Sequence, residues 1–232
     1  MRPICPPLML FAAGMGTRMG ALTANRPKPL IPVAGRFLID HALALVDDAG
    51  IDRVVVNTHY LADQIESHIA TRGLIVSREE PEVLETGGGL KRALPLLGDD
   101  PVMTLNTDAV WTGRNPLVEL MEAWDEVRMD GLLLLLPVEK AVGHFAKGDF
   151  LMDGDGRLER ANGRLGPVYL GAQILKTAGL AEIEAEVFSL NLLWDRMISD
   201  GRLYGMIHDG GWCDVGRPEG IVSAETLLRA PA

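Results

Sequence analysis

The chain has little of several things, and each shortage excludes something. It holds only two cysteines, Cys5 and Cys213, in 232 residues. That is too few for a disulfide framework, and neither thiol has the spacing of a metal knuckle, so a reducing, cytoplasmic setting is expected. Positive charge is scarce: 22 Lys and Arg against 32 Asp and Glu leave a formal net charge of -10. Such a balance argues against a broad surface for a nucleic-acid polymer or an anionic membrane. Any basic cluster is then a local site, and any nucleotide bound is expected to be a small molecule. Long apolar runs are missing as well. The opening MRPICPPLMLFAAG is too short for a secretory signal, and the run Leu132 to Leu136 falls far below the roughly 20 residues that span a bilayer. No Ser- or Pro-rich linker, internal repeat or low-complexity tract divides the sequence, so a single α/β domain over 1–232 is expected.

What is present is organised around Leu10 to Pro29, LFAAGMGTRMGALTANRPKP. An apolar run closes in small residues, and Gly14 and Gly16 then allow backbone N–H groups to approach a ligand closely. Arg18 and Lys28 add positive charge beside that cradle. Pro27 and Pro29 restrict the backbone around Lys28, which suits a residue that must hold a charge in place. The most economical ligand for this combination is a polyphosphate.

Alternation of apolar strands and helical spacing continues down the chain. Strands are expected at Pro7 to Ala13, Arg53 to Asn57, Leu74 to Ser77, Pro101 to Asn106, Gly131 to Val138, Val168 to Ile174 and Leu203 to His208. Helices are expected from Phe37 to Gly50, Leu61 to Ile69, Leu117 to Trp124 and Leu190 to Ile198, with Pro218 opening a terminal one. This βαβ alternation predicts a three-layer α/β/α architecture around a mostly parallel sheet. Asp153-Gly154-Asp155-Gly156 reads as a hairpin turn, since it lacks the later glutamate of a calcium loop. The stretch EPEVLETGGGL, Glu80 to Leu90, reads as a glycine loop ahead of a helix.

Two acids stand out. Asp108 follows the strand PVMTLN at its carboxyl end, where ligands bind in open α/β sheets, and Asp214 lies in the frame GWCDVG. Mg²⁺ takes carboxylate oxygens together with substrate phosphates, so this pair is the candidate metal site. The histidines His41, His59, His68, His144 and His208 share no ligand spacing and are expected to be surface or packing residues. Cys213 is expected to fill space.

The stretches AAGMGTRM and NRPKPLIPVAGRFLI resemble the N-terminal motif of the sugar-1-phosphate nucleotidyltransferases: a glycine loop, an arginine, and a PKP lysine before a PV-x-G segment. LETGGGL resembles that family's second nucleotide loop, NTDAVW its metal-bearing strand end, and GWCDVGRPE its second metal aspartate. The small size, the triple glycine and the WxDVG ending are most similar to the N-acetylmuramate-1-phosphate uridylyltransferases, with mannose-1-phosphate guanylyltransferases as near relatives. The resemblance implies a Rossmann-like, GT-A-like sheet, with a nucleotide-binding part over about 1–110 and a small β-rich sugar-binding part over about 111–232. It implies that Ala13, Gly14 and Gly16, with Glu85, Thr86, Gly87 and Gly88, receive the nucleotide. Arg18 and Lys28 would neutralise the triphosphate, and Asp108 and Asp214 would hold Mg²⁺.

By position, Gly148, Asp149, Asn162 and Gly171 are the sugar-site candidates. The substrates would be a nucleoside triphosphate and a sugar 1-phosphate, handled by a monomer or small homo-oligomer. Departures from the family pattern concern the sugar more than the reaction. Arg36-Phe37 replaces a residue-proline pair, and the usual glutamate-lysine-proline segment is absent. The residues argue against two other classes. A dinucleotide-dependent oxidoreductase would need a third glycine where Met19 stands, and a non-catalytic nucleotide-sugar binder has little need for Arg18, Lys28, Asp108 and Asp214 together.

Overall fold

The computed structural model describes residues 5–98 and 100–230. Its strands are β1 (Leu8–Phe11), β2 (Pro32–Val33), β3 (Arg36–Phe37), β4 (Val54–Thr58), β5 (Ile75–Arg78), β6 (Val102–Asn106) and β7 (Ala109–Gly113). They continue as β8 (Gly131–Leu136), β9 (Phe150–Met152), β10 (Leu158–Arg160), β11 (Val168–Leu175), β12 (Leu203–Ile207) and β13 (Gly210–Asp214). The helices are α1 (Leu38–Asp48), α2 (Ala62–Ile69), α3 (Glu85–Leu97), α4 (Pro116–Ala123), α5 (Asn191–Ser199) and α6 (Pro218–Arg229).

Seven strands form the central sheet in the order β12-β8-β11-β6-β1-β4-β5, and β11 alone runs against both neighbours. The apolar runs make sense on this sheet because both of its faces are covered, which removes the usual alternation. In β8, Leu132, Leu134 and Leu136 face the layer of α1, α2 and α4, while Leu133 and Leu135 face α3 and α5. β1 divides in the same way, with Leu8 and Leu10 on one side and Met9 on the other. The expected three-layer, mostly parallel architecture is what forms. Strands β8, β11 and β12 extend the sheet begun by β1, β4, β5 and β6, so the second half of the chain shares the core of the first.

Outside that sheet stand two features that position the site. β13 pairs antiparallel with β7, setting Asp214 opposite Ala109. A third apolar cluster of Met19, Ile31, Val33, Val110, Cys213 and Val215 lies beneath this ribbon. Cys213 is fully buried there, and burial, then the Asp214 charge, pushes its thiol up to about 11, so it packs as an inert apolar group. The β9–β10 hairpin turns at Asp153, whose Oδ1 accepts from the N–H groups of Asp155 (2.9 Å) and Arg157 (2.8 Å). Among the described residues no helix is long and apolar enough to cross a membrane.

One expectation about local structure is corrected. The triple glycine does not precede its helix; Gly87, Gly88 and Gly89 lie within the first turns of α3. Glycine is a poor helix former, and the reason it is tolerated here is packing. A Cβ on Gly87 would come within 2.4 Å of the Phe188 ring, and one on Gly88 within 2.0 Å of the Glu186 carbonyl oxygen.

Candidate active site

Parallel strands β1, β4, β5 and β6 deliver their carboxyl ends to one edge of the sheet, and the chain order reverses about β1. A crevice opens at such a switch point. It is lined from β1 by Phe11, Ala12, Ala13 and Gly14, from the next segments by Lys28, Pro29, Asn57 and Glu79, and from β6 onward by Asn106, Thr107 and Asp108. Val83, Glu85 and Thr86 close the far wall.

The signature loop is built to hold Lys28. Gly16 adopts a left-handed φ of 63°, and a Cβ there would lie 2.9 Å from the Lys28 Cβ. Glycine is therefore needed twice over, for the backbone and for the lysine stem. Thr23 Oγ1 donates to the Gly16 carbonyl at 3.0 Å and pins the loop from behind. Lys28 lies in a short turn in which Ile31 N–H donates back to the Lys28 carbonyl at 3.0 Å. Only 8% exposed, it directs Nζ onto Asp108 Oδ2 at 2.7 Å. Gly14 has nothing within 4 Å of its would-be Cβ, leaving open approach to its backbone.

The aspartates are fixed by backbone as much as by charge. Thr107 Oγ1 donates to the Phe11 carbonyl at 2.7 Å, tying the β6–β7 turn to β1. Val215 N–H donates to the Asp108 carbonyl at 2.8 Å, which joins the segments carrying the two acids. Gly216 is small because a Cβ there would lie 2.7 Å from Asp214 Oδ2. Burial pushes the Asp108 carboxyl up, but Lys28 and then Arg18 outweigh it and hold the group below the ordinary carboxylate range. Asp214 behaves oppositely: burial and the Asp108 charge push it up to about 6, against Lys28, Arg18 and His144. Two crowded carboxylates with one adjacent ammonium make a hard-oxygen donor set short of positive charge. Among the described residues no group of three or more His, Cys, Asp or Glu could hold a metal. A cation here would therefore take two carboxylates and complete its shell with substrate and water oxygens, which is the pattern Mg²⁺ favours.

The remaining expected residues divide. Ala13, Gly14, Glu85 and Thr86 line the crevice. Glu85 does so at φ 59°, a left-handed conformation costly for a residue with a side chain. Gly87 and Gly88 turn away, and both N–H groups donate to the Phe188 carbonyl, at 2.8 and 3.0 Å. Both must be glycine because a Cβ would collide with the Phe188 ring or the Glu186 carbonyl, so Gly88→Ala is expected to destabilise the fold by about 1–3 kcal/mol through overpacking. A thermal melt checks this, and a variant as stable as wild type would return the glycine to the ligand.

Arg18 is exposed and lines a separate depression with Arg217 and Glu219, from which its charge reaches both aspartates. Of the sugar-site candidates, Gly171 (φ 87°) lies beneath the crevice, where a Cβ would meet Asn106 Nδ2 at 2.8 Å. The others do not line the crevice. Gly148 packs on Gly166, Asp149 Oδ2 accepts from Tyr169 N–H at 2.9 Å, and Asn162 is exposed in the turn after β10. Their expected position followed sequence order, whereas the hairpin they flank folds onto Gly166 and Pro167. Asn57, Glu79, Asn106 and Thr107 also line the crevice, and the sequence reading missed them. Asn57 and Asn106 could have been found as polar residues ending apolar parallel strands; Glu79, within Arg78-Glu79-Glu80, carried no such signal.

Comparison with known proteins supplies the family. Residues 8–141 match the MobA-like NTP transferase domain. The chain is 39% identical over 231 residues to an N-acetylmuramate alpha-1-phosphate uridylyltransferase of Caulobacter vibrioides, covering 95% of this chain and 96% of that one. It is 31% identical over 231 residues to the protein of the same name from Neisseria meningitidis serogroup B, covering 96% and 98%. The crystal structure of HddC from Yersinia pseudotuberculosis complexed with GMP-PN shares the fold, with a TM-score of 0.79 at 21% identity over 97% of this chain and 100% of that one. On this match and this site, the chain belongs to the MobA-like NTP transferase domain family and is a nucleotidyltransferase.

Proposed function

We propose that the protein joins N-acetylmuramate 1-phosphate to UTP, releasing pyrophosphate and a UDP-sugar. The observation that carries nucleotidyl transfer is the Lys28–Asp108 pair in the switch-point crevice, beside the open backbone of Gly14, with Asp214 held next to Asp108 by the Val215 bond and within reach of its charge. The choice of uridine and of the muramate sugar is supported by the names of the two relatives matched along nearly their whole length.

The chemistry follows from the residues. A phosphate oxygen of the sugar phosphate attacks the α-phosphorus in line. The new P–O bond forms as the bond to the bridging oxygen breaks, and that electron pair leaves with pyrophosphate. A phosphate monoester with a second pKa of about 6 is largely dianionic at neutral pH, so no protein base is required. Ala13 and Gly14 on one wall, and Glu85 and Thr86 on the other, receive base and ribose. Lys28 and Arg18 neutralise charge gathering on the leaving group, and the rigid loop keeps Lys28 in place before the reaction begins. Mg²⁺, held by Asp108 and Asp214 with substrate oxygens, would supply further charge neutralisation at the reacting phosphates.

A pyrophosphate-release assay tests the reading. UTP, GTP, CTP and dTTP are each offered with N-acetylmuramate, N-acetylglucosamine and mannose 1-phosphates. Fastest release is expected from UTP with N-acetylmuramate 1-phosphate. Faster release from GTP with mannose 1-phosphate would replace the substrates and keep the reaction; no release from any pair sinks both.

A further inference from the structure

Asn57 and Glu79 belong neither to the signature loop nor to the aspartate pair, yet both line the crevice. Glu79 is fully buried and Asn57 is 3% exposed. A chain of hydrogen bonds passes through them. Ala12 N–H donates to Asn57 Oδ1 at 2.7 Å, Asn57 Nδ2 donates to Glu79 Oε1 at 2.7 Å, and Leu84 N–H donates to Glu79 Oε2 at 2.8 Å. Ala12 leads into Ala13 and Gly14 on one wall, while Leu84 leads into Glu85 and Thr86 on the other. The backbone of Glu79 is held as well, its N–H donating to the Thr58 carbonyl at 2.8 Å and its carbonyl bonded to His59 Nδ1 at 2.8 Å.

Gly89 supports the same reading from the opposite side. A Cβ there would lie 2.5 Å from Glu79 Oε1 and 3.2 Å from Asn57 Nδ2, so α3 is bare where the pair sits. The chemistry of the pair is directional. Ala12 N–H requires an acceptor at position 57, which turns the Asn57 amide donor toward Glu79. Glu79 then meets donors on both sides, and an ionised carboxylate is the side chain that accepts at both oxygens and presents no donor.

We propose that Asn57 and Glu79 are a positioning pair that sets the spacing between the two walls of the nucleotide crevice. They govern triphosphate affinity without touching the reacting phosphates. The proposal rests on the nucleotidyl-transfer reading above.

The test uses a charge relocation. Glu79→Gln sets an amide donor against either Asn57 Nδ2 or Leu84 N–H, and Asn57→Asp sets carboxylate against carboxylate. In the double variant, Asn57→Asp with Glu79→Gln, the new carboxylate at position 57 accepts from Ala12 N–H and from the new amide. The oxygen of that amide accepts from Leu84 N–H, so every bond of the chain returns. Each single variant is expected to raise KM for the triphosphate about tenfold or more, with KM for the sugar phosphate unchanged. The double variant restores the wild-type KM. A carboxylate that reads the base by direct contact would not be restored, so a folded double variant with a KM still raised overturns the proposal.

Hydrogen exchange at the Ala12 and Leu84 amides is read on the same proteins without substrate. Protection falls in the single variants and returns in the double; unchanged protection in the single variants also overturns the pair. Failure of the underlying reading shows separately, as a wild-type protein that releases no pyrophosphate.

Discussion

Replacing Asp108 by Asn is expected to lower turnover by about three orders of magnitude, or about 4 kcal/mol of transition-state stabilisation. The substitution keeps the volume of the side chain and removes its charge. The backbone bonds that shape the turn, from Val215 N–H to the carbonyl of residue 108 and from Thr107 Oγ1 to Phe11, do not involve the carboxyl and persist. What changes is the donor set, because a cation is left with the single carboxylate of Asp214. The Asp214 carboxyl, raised to about 6 by burial and then by the Asp108 charge, loses the second of those causes and moves down. Ionisation of Asp214 therefore becomes easier, and it does not restore activity, because the missing charge is the one that Lys28 faces. The checks are turnover at saturating Mg²⁺ and a thermal melt. Near-normal turnover in a folded variant would remove Asp108 from the candidate metal site.

Periodicity makes most of the sheet legible in the amino-acid sequence. RVVVN, PVMTLN and the leucine run after Gly131 read as strands buried on both faces, and that is how β4, β6 and β8 pack. What escapes is pairing between short segments far apart in sequence. AVWTG and GGWCD are each too brief to signal a ribbon, yet their antiparallel register is what sets Asp214 opposite Ala109. Glycine misleads in a different way. Three in a row favour a loop by local preference, whereas the Phe188 ring, the Glu186 carbonyl and the Glu79 carboxylate each need a missing Cβ on a helix. Tertiary contact overrides propensity there. The site shows the same division. Lys28, Asp108 and Asp214 stand out in the sequence because each lies in an ordered motif, and the structure sets Lys28 on Asp108 and joins the segments carrying the two acids. Glu79 does not, because a charged residue between Arg78 and Glu80 reads as a solvated surface until the fold buries it.

Lys28→Met is expected to lower kcat/KM for the triphosphate about a hundredfold, or about 2.7 kcal/mol, with KM for the sugar phosphate unchanged. Methionine keeps the apolar stem that packs against Gly16, so the loop retains its shape and the loss is one of charge. Arg18 does not substitute for it: that side chain is exposed, and its charge ranks below that of Lys28 in its effect on Asp108. The pH dependence gives a second readout with a definite sign. In the wild type, Lys28 and then Arg18 hold the Asp108 carboxyl below its unfolded value against the opposing effect of burial. The ionised form is therefore favoured above the ordinary carboxylate range and is lost only as pH falls through the lowered value. Asp214, pushed up to about 6 by burial and the Asp108 charge against Lys28 and Arg18, sets the acid limb of the rate profile; without Lys28 both carboxyls rise, and that limb shifts toward neutral pH. A variant with lowered rate but an unmoved acid limb would mean that Lys28 contacts the triphosphate without controlling the two carboxyls. An effect confined to the KM of the sugar phosphate would place Lys28 on the other substrate.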